Sequence, residues 1–298
     1  IKTMALAQEF DADVLQEVKQ RFFSEAESAG RLSHPNIVTM YDAGEEHDLA
    51  YIAMEYLKGK DLVGYIKPGA LLPLPVVMGI VARVAEALDY AHQQNVVHRD
   101  IKPGNIMYDP DSDTVKVTDF GIARITDSSK TRTGLVLGTP SFMSPEQIAG
   151  KKVDGRSDLY SLAVMLFQML AGTLPFRGDS MAELMYKIAN EPAPDIRLIR
   201  QALPARLADI VAFSLGKGPE TRYQDGDQLA ADLRAVMAQL QLSDVTAGAA
   251  ATAVHSGTGS HEKADFAAAG DNRAFAETLV ARFPPDSPAV HGAADLKP

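Results

Sequence analysis

The spacing of apolar positions changes near residue 60, and the change predicts two kinds of structure. Residues 14–32 have the spacing of a charged helix, and a turn-forming Ser-His-Pro-Asn cluster ends it. Two runs typical of β-strands follow at 37–41 and 49–54, with an acidic turn at 44–48 between them. The pattern therefore predicts a small helix-and-sheet unit, ended by a hinge at 58–60.

Helices dominate the next part of the chain. Pro75 opens a helix whose apolar residues fall on one face. Residues 95–139 are rich in His, Arg, Asp, Asn and Gly, which predicts loops and short strands. Further helices are predicted at 156–172, 181–189, 204–215 and 225–240. No internal repeat is visible. The succession of predicted helices favours a large helical unit after the hinge.

The composition changes after about residue 243. Residues 247–260 are rich in Ala, Gly, Ser and Thr and have no periodicity, which is typical of a flexible linker. A short helix is predicted at 272–282, before a Pro-Pro pair. We expect 243–298 to be a disordered linker or tail.

Composition narrows the functional classes. The chain has 298 residues, 46% of them hydrophobic, and a formal net charge of -10, which argues against nucleic-acid binding over a broad basic surface. It has no cysteine, which suits a reducing compartment, and its seven histidines lack metal-ligand spacing. The longest apolar run, 159–170, is shorter than the ~18 residues that a membrane span needs. We expect a cytoplasmic domain, with an anchor beyond residue 298 left open.

Several motifs stand in a fixed order. Residues 98–105 read H-R-D-I-K-P-G-N, and 119–121 read D-F-G. G-T-P follows at 138–140 and S-P-E, a variant of A-P-E, at 144–146. Over about residues 1–240 the chain resembles bacterial Hanks-type serine/threonine protein kinases. This resemblance implies an α+β, two-lobed protein-kinase fold, with an N-lobe remnant at 1–57 and a C-lobe at 58–242.

The resemblance assigns the catalytic loop the family's established roles in phosphoryl transfer. Asp100 is expected to orient the acceptor hydroxyl and accept its proton, and Lys102 to steady the phosphate in transit. Asn105 and Asp119 are expected to hold Mg²⁺, which prefers oxygen ligands. The expected nucleotide is ATP, and a lysine at 102 is the serine/threonine pattern.

Lys2 resembles the lysine that ends the V-A-I-K strand and holds the α- and β-phosphates of the nucleotide. Its expected partner is Glu25, in an ion pair that forms only when the helix swings inward. The alternatives are that Lys2 is merely a charged terminal residue, or that Glu27 is the partner. Glu27 ranks below Glu25 because it points to a different face of the helix.

The adenine site is expected where the second strand run ends. Met54 resembles the gatekeeper at the back of the pocket, and Glu55 and Leu57 are expected to offer hinge backbone groups to the base. Met107 is expected to form the floor of the site, although ordinary core packing explains it equally well.

The segment between the D-F-G and S-P-E motifs is expected to regulate the enzyme. Thr131 and Thr133 match the positions that such bacterial kinases autophosphorylate, and Arg99 is the arginine expected to grip the phosphate. The alternative is a hydroxyl-rich loop that is simply solvated. Thr139 resembles the threonine that bonds the catalytic aspartate and helps to select Ser or Thr acceptors.

Other motif residues are expected to be structural. Glu146 and Arg222 resemble the buried ion pair that fastens the activation segment, and Asp158 the acid that braces the catalytic loop. His98 is expected to pack beneath Phe120 and not to act as a base.

The leading hypothesis is a protein serine/threonine kinase that acts on protein Ser and Thr hydroxyls, with a homodimer for trans-autophosphorylation and no nucleic-acid partner. The alternatives are a pseudokinase scaffold and a small-molecule kinase of the aminoglycoside type. The chain begins at Ile1, where a glycine-rich phosphate loop would precede the lysine strand. We therefore expect residues upstream, and poor activity from this exact chain.

Overall fold

The computed structural model of the protein describes residues 1–10, 12–47, 49–120 and 140–254. One compact unit, Ile1–Val245, contains every element below except the end of the last helix. Within it, a small sheet-and-helix lobe precedes a larger, mainly helical lobe, which is the α+β architecture expected of a protein kinase.

The N-lobe is a three-stranded antiparallel sheet with a helix packed on it. The strands are β1 (Lys2–Met4), β2 (Met40–Glu46) and β3 (Leu49–Met54), in the order β1-β3-β2. A short helix α1 (Leu6–Glu9) leads into α2 (Ala12–Gly30). Apolar side chains of α1, α2 and β3 form a separate small core that includes Leu6, Val18, Phe22, Ala50 and Ile52. Met4, on β1, packs against this core, so the core positions the strand that carries Lys2.

The strand predicted at 37–41 is displaced, and the predicted acidic turn is shorter than expected. Ile37 forms an isolated parallel bridge with Val117, and the amide of Val38 donates to the carbonyl of Val117 at 2.9 Å. These apolar residues therefore link the N-lobe to the C-lobe. The strand β2 instead continues through Glu46, which pairs with Leu49 of β3, and its carboxylate residues Asp42, Glu45 and Glu46 are exposed.

A second antiparallel sheet forms the cleft side of the C-lobe. Its strands are β4 (Lys60–Asp61), β5 (Ile106–Asp109) and β6 (Thr114–Val117), in that order. The catalytic loop leads into β5 through a 3-10 turn at Pro103–Asn105. The catalytic loop therefore lies directly before β5, and the D-F-G motif begins shortly after β6.

The C-lobe helices are α3 (Leu74–Gln93), α4 (Pro145–Ile148), α5 (Gly155–Ala171), α6 (Met181–Asn190), α7 (Ala205–Ser214) and α8 (Gly226–Val254). Four of them match the predicted ones closely, whereas the short α4 was not predicted and α8 is longer than predicted. The helix α5 is buried along nearly its whole length and packs against α3. Asp154 caps its start with a carboxylate that accepts from the Arg156 amide, and Gly172, with φ +71°, caps its end. In the described part of the chain, no helix has the length and apolar character to cross a bilayer.

The last helix corrects the prediction for the tail. The helix α8 continues to Val254, so the linker expected from residue 243 begins inside it. Residues 247–254 are mostly alanine, which is the strongest helix former, so an apparently patternless stretch can extend a helix. The predicted helix at 272–282 lies outside the described residues.

Candidate active site

Two predicted catalytic residues and one predicted metal ligand lie together in one loop. The Lys102 ammonium donates to Asp100 Oδ2 at 2.6 Å. The Asn105 amide nitrogen donates to the carbonyl of Asp100 at 2.7 Å and to its Oδ2 at 3.0 Å. These contacts hold the Asp100 carboxylate next to one cation and direct the amide oxygen of Asn105 away from it.

The backbone before Asp100 is strained and held in place. Arg99 has φ +68°, in the left-handed region that non-glycine residues seldom adopt. The buried carboxylate of Asp158 accepts from the amides of Arg99 at 2.7 Å and His98 at 2.8 Å. His92 Nε2 lies 2.8 Å from the same carboxylate. Asp158 therefore occupies the bracing position that the sequence predicts, and His92 is a contact that the sequence did not reveal.

The D-F-G aspartate approaches the same loop through its backbone. Asp119 has φ +65°, and Thr118 donates through its amide to the Asn105 carbonyl at 2.9 Å. His98 donates from Nε2 to the Thr118 carbonyl at 2.8 Å, and its ring lies 4.6 Å from that of Phe120. The contact of His98 with Phe120 is the predicted one. Its two ring nitrogens are both used for structure, since Nδ1 accepts from the Asp100 amide at 3.2 Å.

The donor set fits Mg²⁺ bound together with nucleotide phosphates. Within the described ranges, no group of three His, Asp or Glu side chains could hold a metal ion alone. Asn105 and Asp119 supply one amide oxygen and one carboxylate, and Mg²⁺ commonly takes one or two protein oxygens plus phosphate oxygens and water.

Lys2 pairs with a different acid from the one that the sequence predicts. Among the described residues, Lys2 Nζ donates to Asp119 Oδ1 at 2.8 Å and not to Glu25, with side chains of the pair 44% and 23% exposed. The Asp119 carboxylate lies within hydrogen-bond distance of Lys2 Nζ, whereas Glu25 is half-buried on α2. Glu27 lies on the exposed face and pairs with Arg31 at 2.5 Å, so it is not the partner of Lys2 either.

The gatekeeper position lies at a small cavity behind the cleft. Its lining includes Met54, Met40 and Ile52 from the sheet, together with Asp119 and Phe120. Met54 therefore lines the same cavity as Asp119 and Phe120 of the D-F-G motif.

The predicted hinge residue Glu55 makes contacts within the N-lobe and across to the C-lobe. The amide of Glu55 donates to the Thr39 carbonyl at 2.9 Å, while its carboxylate accepts from the Thr39 amide and from Lys116 Nζ, each at 2.7 Å. Burial opposes ionisation of Glu55, but these hydrogen bonds prevail and lower its pKa. Leu57 is half-buried, and so is Met107, which lies opposite Lys116 in the β5–β6 register. The sequence did not reveal Lys116, because its partner lies in the other lobe.

The predicted structural ion pair is present in the C-lobe. Arg222 donates from Nη1 and Nη2 to the two carboxylate oxygens of Glu146, at 3.0 and 2.7 Å, and the Ser157 hydroxyl donates to Glu146 at 2.5 Å. Burial disfavours the charged carboxylate, but the bonds from Arg222 and Ser157 outweigh it and lower the pKa of Glu146. The pair fixes α4, and with it the end of the activation segment, to the C-lobe core.

Some predicted site residues fall outside the description. Thr131, Thr133 and Thr139 lie outside the described residues. The structure adds Gln147, whose side-chain amide donates to the Arg99 carbonyl at 3.0 Å. Its Ser-x-x-Gln spacing indicates a helix cap from sequence, but nothing in that spacing indicates the contact with Arg99.

Comparisons with known proteins agree with this arrangement. The protein kinase domain family matches residues 1–233. The serine/threonine-protein kinase PrkC of Bacillus subtilis is 38% identical over 226 residues, which cover 76% of this chain and 35% of PrkC. The serine/threonine-protein kinase PknB of Mycobacterium leprae is 42% identical over 220 residues, which cover 72% of this chain and 35% of PknB. The chain thus spans about a third of the length of these relatives.

A solved structure shows the same fold. The crystal structure of the Mycobacterium tuberculosis PknI kinase domain superposes with a TM-score of 0.61 at 31% sequence identity. The match covers 78% of this chain and 83% of that one.

Proposed function

The chain belongs to the protein kinase domain family, and from this premise we propose that it transfers the γ-phosphate of ATP to serine and threonine hydroxyls of proteins. The observation that supports the proposal is the cluster in which Lys102 and Asn105 both contact the carboxylate of Asp100. Phosphoryl transfer needs mostly alignment and cationic stabilisation, and this cluster provides a proton acceptor beside a cation.

In the proposed reaction the acceptor oxygen forms a bond to the γ-phosphorus as the bond to the β–γ bridging oxygen breaks. ADP leaves with the bond electrons, and the hydroxyl proton passes to Asp100. Lys102 stabilises negative charge on the transferred group. Asn105 and Asp119 would hold Mg²⁺, which supplies charge neutralisation for the phosphates when it is bound.

The Lys2–Asp119 contact has to open before ATP binds. Lys2 is expected to move to the α- and β-phosphates, which frees Asp119 for the metal ion. The ion pair is partly exposed, and exposed pairs contribute only ~0–1 kcal/mol, so the cost of opening is small.

Asp100→Asn in the full-length protein tests the proposal. We expect transfer of labelled γ-phosphate to a generic basic protein to fall by roughly 10²- to 10⁴-fold, the usual contribution of a positioned general base. Asp111→Asn, at an exposed position, is the matched control and should keep the wild-type rate. An Asp100→Asn protein that kept most of its rate would exclude this role for Asp100.

A scaffold without transfer is the second candidate, favoured by one observation. Lys2 and Asp119 form an ion pair with each other. While this pair is closed, Lys2 does not bind the phosphates and Asp119 does not bind the metal ion. A wild-type protein that binds ATP and Mg²⁺ but phosphorylates neither itself nor a basic protein would support the scaffold.

We also propose regulation by autophosphorylation at Thr131 and Thr133, in trans between two copies of the chain. The support is that Arg99 directly precedes Asp100 and that its Nε has no hydrogen-bond partner among the described residues. An arginine guanidinium binds a phosphate through two N–H groups. Replacing both threonines by Ala should lower activity without lowering the melting temperature, while Ser128→Ala with Ser129→Ala should leave activity unchanged. Mass spectrometry that found neither threonine phosphorylated in active enzyme would exclude this regulation.

The remaining parts of the proposal concern partners and place. We propose that this domain acts in the cytoplasm on protein substrates and does not bind nucleic acid, in keeping with the net charge of -10. Trans-phosphorylation is tested by mixing an active copy with the Asp100→Asn protein and looking for phosphate on the inactive copy.

A further inference from the structure

We propose that Gln147 is a positioning residue for the catalytic loop, because its side-chain amide holds the peptide group that enters Asp100. The proposal rests on the proposed kinase function. It adds a second device to the brace formed by Asp158, and it connects the end of the activation segment to the proton acceptor.

The amide of Gln147 has a defined orientation. Its Oε1 accepts from the Ser144 amide at 2.9 Å and from the Ser144 hydroxyl at 3.1 Å, as part of a capping box at the start of α4. Because the Ser144 backbone amide can only donate, the oxygen must face Ser144 and the NH₂ group must face away. That NH₂ group donates to the carbonyl of Arg99 at 3.0 Å.

The bond acts on the peptide plane between Arg99 and Asp100. The carbonyl of this peptide is held by Gln147, and its N–H donates to His98 Nδ1 at 3.2 Å. The amide of Arg99, one peptide earlier, is held by Asp158 at 2.7 Å. Arg99 has φ +68°, and such a conformation persists only when its surroundings impose it.

Gln147 also connects the Arg99–Asp100 peptide to the buried ion pair of the C-lobe. Its neighbour Glu146 is buried and bound by two nitrogens of Arg222. A side chain that follows Glu146 on a short helix has little freedom to shift. The position of the Asp100 backbone therefore depends on the Glu146–Arg222 ion pair that anchors the activation segment. Loosening this ion pair should disturb catalysis.

Two variants separate positioning from helix capping. Gln147→Glu keeps an oxygen that can accept from Ser144 but loses the N–H donor to Arg99, whereas Ser144→Ala removes the capping hydroxyl and keeps the donor. We expect kcat to fall about tenfold in Gln147→Glu, the equivalent of one lost hydrogen bond, with the KM for ATP unchanged. Ser144→Ala should keep the wild-type kcat. Gln147→Met, which loses the donor without adding charge, should reproduce the loss in kcat.

Amide hydrogen exchange supplies a readout that does not depend on activity. In both Gln147 variants, exchange should become faster for residues 98–100 and stay unchanged in α5. Wild-type kcat and wild-type exchange in both Gln147 variants would overturn the proposal. A purely structural role would instead lower the melting temperature and leave kcat intact, which would also overturn it. If the wild-type protein itself showed no Asp100-dependent transfer, the proposed function would fail, and the exchange data would still decide the role of Gln147.

Discussion

Replacing Glu146 by glutamine should destabilise the domain strongly, because it leaves a buried guanidinium without its counter-charge. Arg222 is 0% exposed and Glu146 is 5% exposed at the side chain. Removing one partner of a buried ion pair typically costs about 3–5 kcal/mol, since the remaining charge stays desolvated.

The contacts place the expected cost at the lower end of this range. The glutamine side chain in Glu146→Gln would keep one oxygen that can accept from Arg222 or Ser157. Arg222 also keeps its bonds to the carbonyls of Arg156 at 3.0 Å and Lys217 at 3.1 Å. We therefore expect a loss of about 3 kcal/mol. For a domain of this size, this corresponds to a fall of roughly 6–12 °C in melting temperature.

The assay is urea unfolding followed by far-ultraviolet circular dichroism, because the chain has no tryptophan for fluorescence. A shift in the midpoint at constant slope reports the change in the free energy of unfolding. Glu27→Gln is the matched control, since Glu27 and Arg31 are 69% and 76% exposed and their pair should contribute below about 0.5 kcal/mol.

Two results would refute this reasoning. The first is a loss in Glu146→Gln no larger than that in Glu27→Gln. The second comes from adding Arg222→Met, which removes the stranded charge. If the loss of stability in the double variant equalled or exceeded the sum of the two single losses, Glu146 and Arg222 would not stabilise each other as a pair.

Three further predictions concern the catalytic-loop brace, the pH dependence of the Glu146 contact and the contact of Glu55 with Lys116. Asp158→Asn should lower kcat at unchanged KM for ATP, because one of the two oxygens that hold the catalytic-loop amides is lost; an unchanged kcat would contradict the brace. Burial opposes ionisation of Glu146, but bonds from Arg222 prevail and lower its pKa below the ordinary 4.5. Its contribution is therefore complete above pH 4.5 and lost as the pH falls through the folded pKa, so urea midpoints of wild type and Glu146→Gln should converge on acidification. Glu55→Gln should cost about 1 kcal/mol through its contact with Lys116, and urea midpoints equal to those of wild type would show that the contact contributes nothing.

The sequence by itself determined the features that depend on neighbours along the chain. Helical periodicity located the start of α3 and both ends of α5, α6 and α7 to within two residues, because an amphipathic helix repeats its pattern every turn. The catalytic loop also depends on residues that are close together along the chain. Asp100, Lys102 and Asn105 lie within six residues, so a short loop and a 3-10 turn bring them together wherever the lobe places them.

The tertiary structure alone decided which distant groups meet. Lys2 contacts Asp119 across 117 positions and not Glu25, and Gln147 reaches Arg99 across 48. Ile37 and Val38 have the apolar character of a strand, yet they pair with Val117 between the lobes. Periodicity reports which face of an element is buried, but it does not specify the partner. Partners are set by how separate elements pack, and a charged side chain pairs with whichever opposite charge that packing brings within about 3 Å.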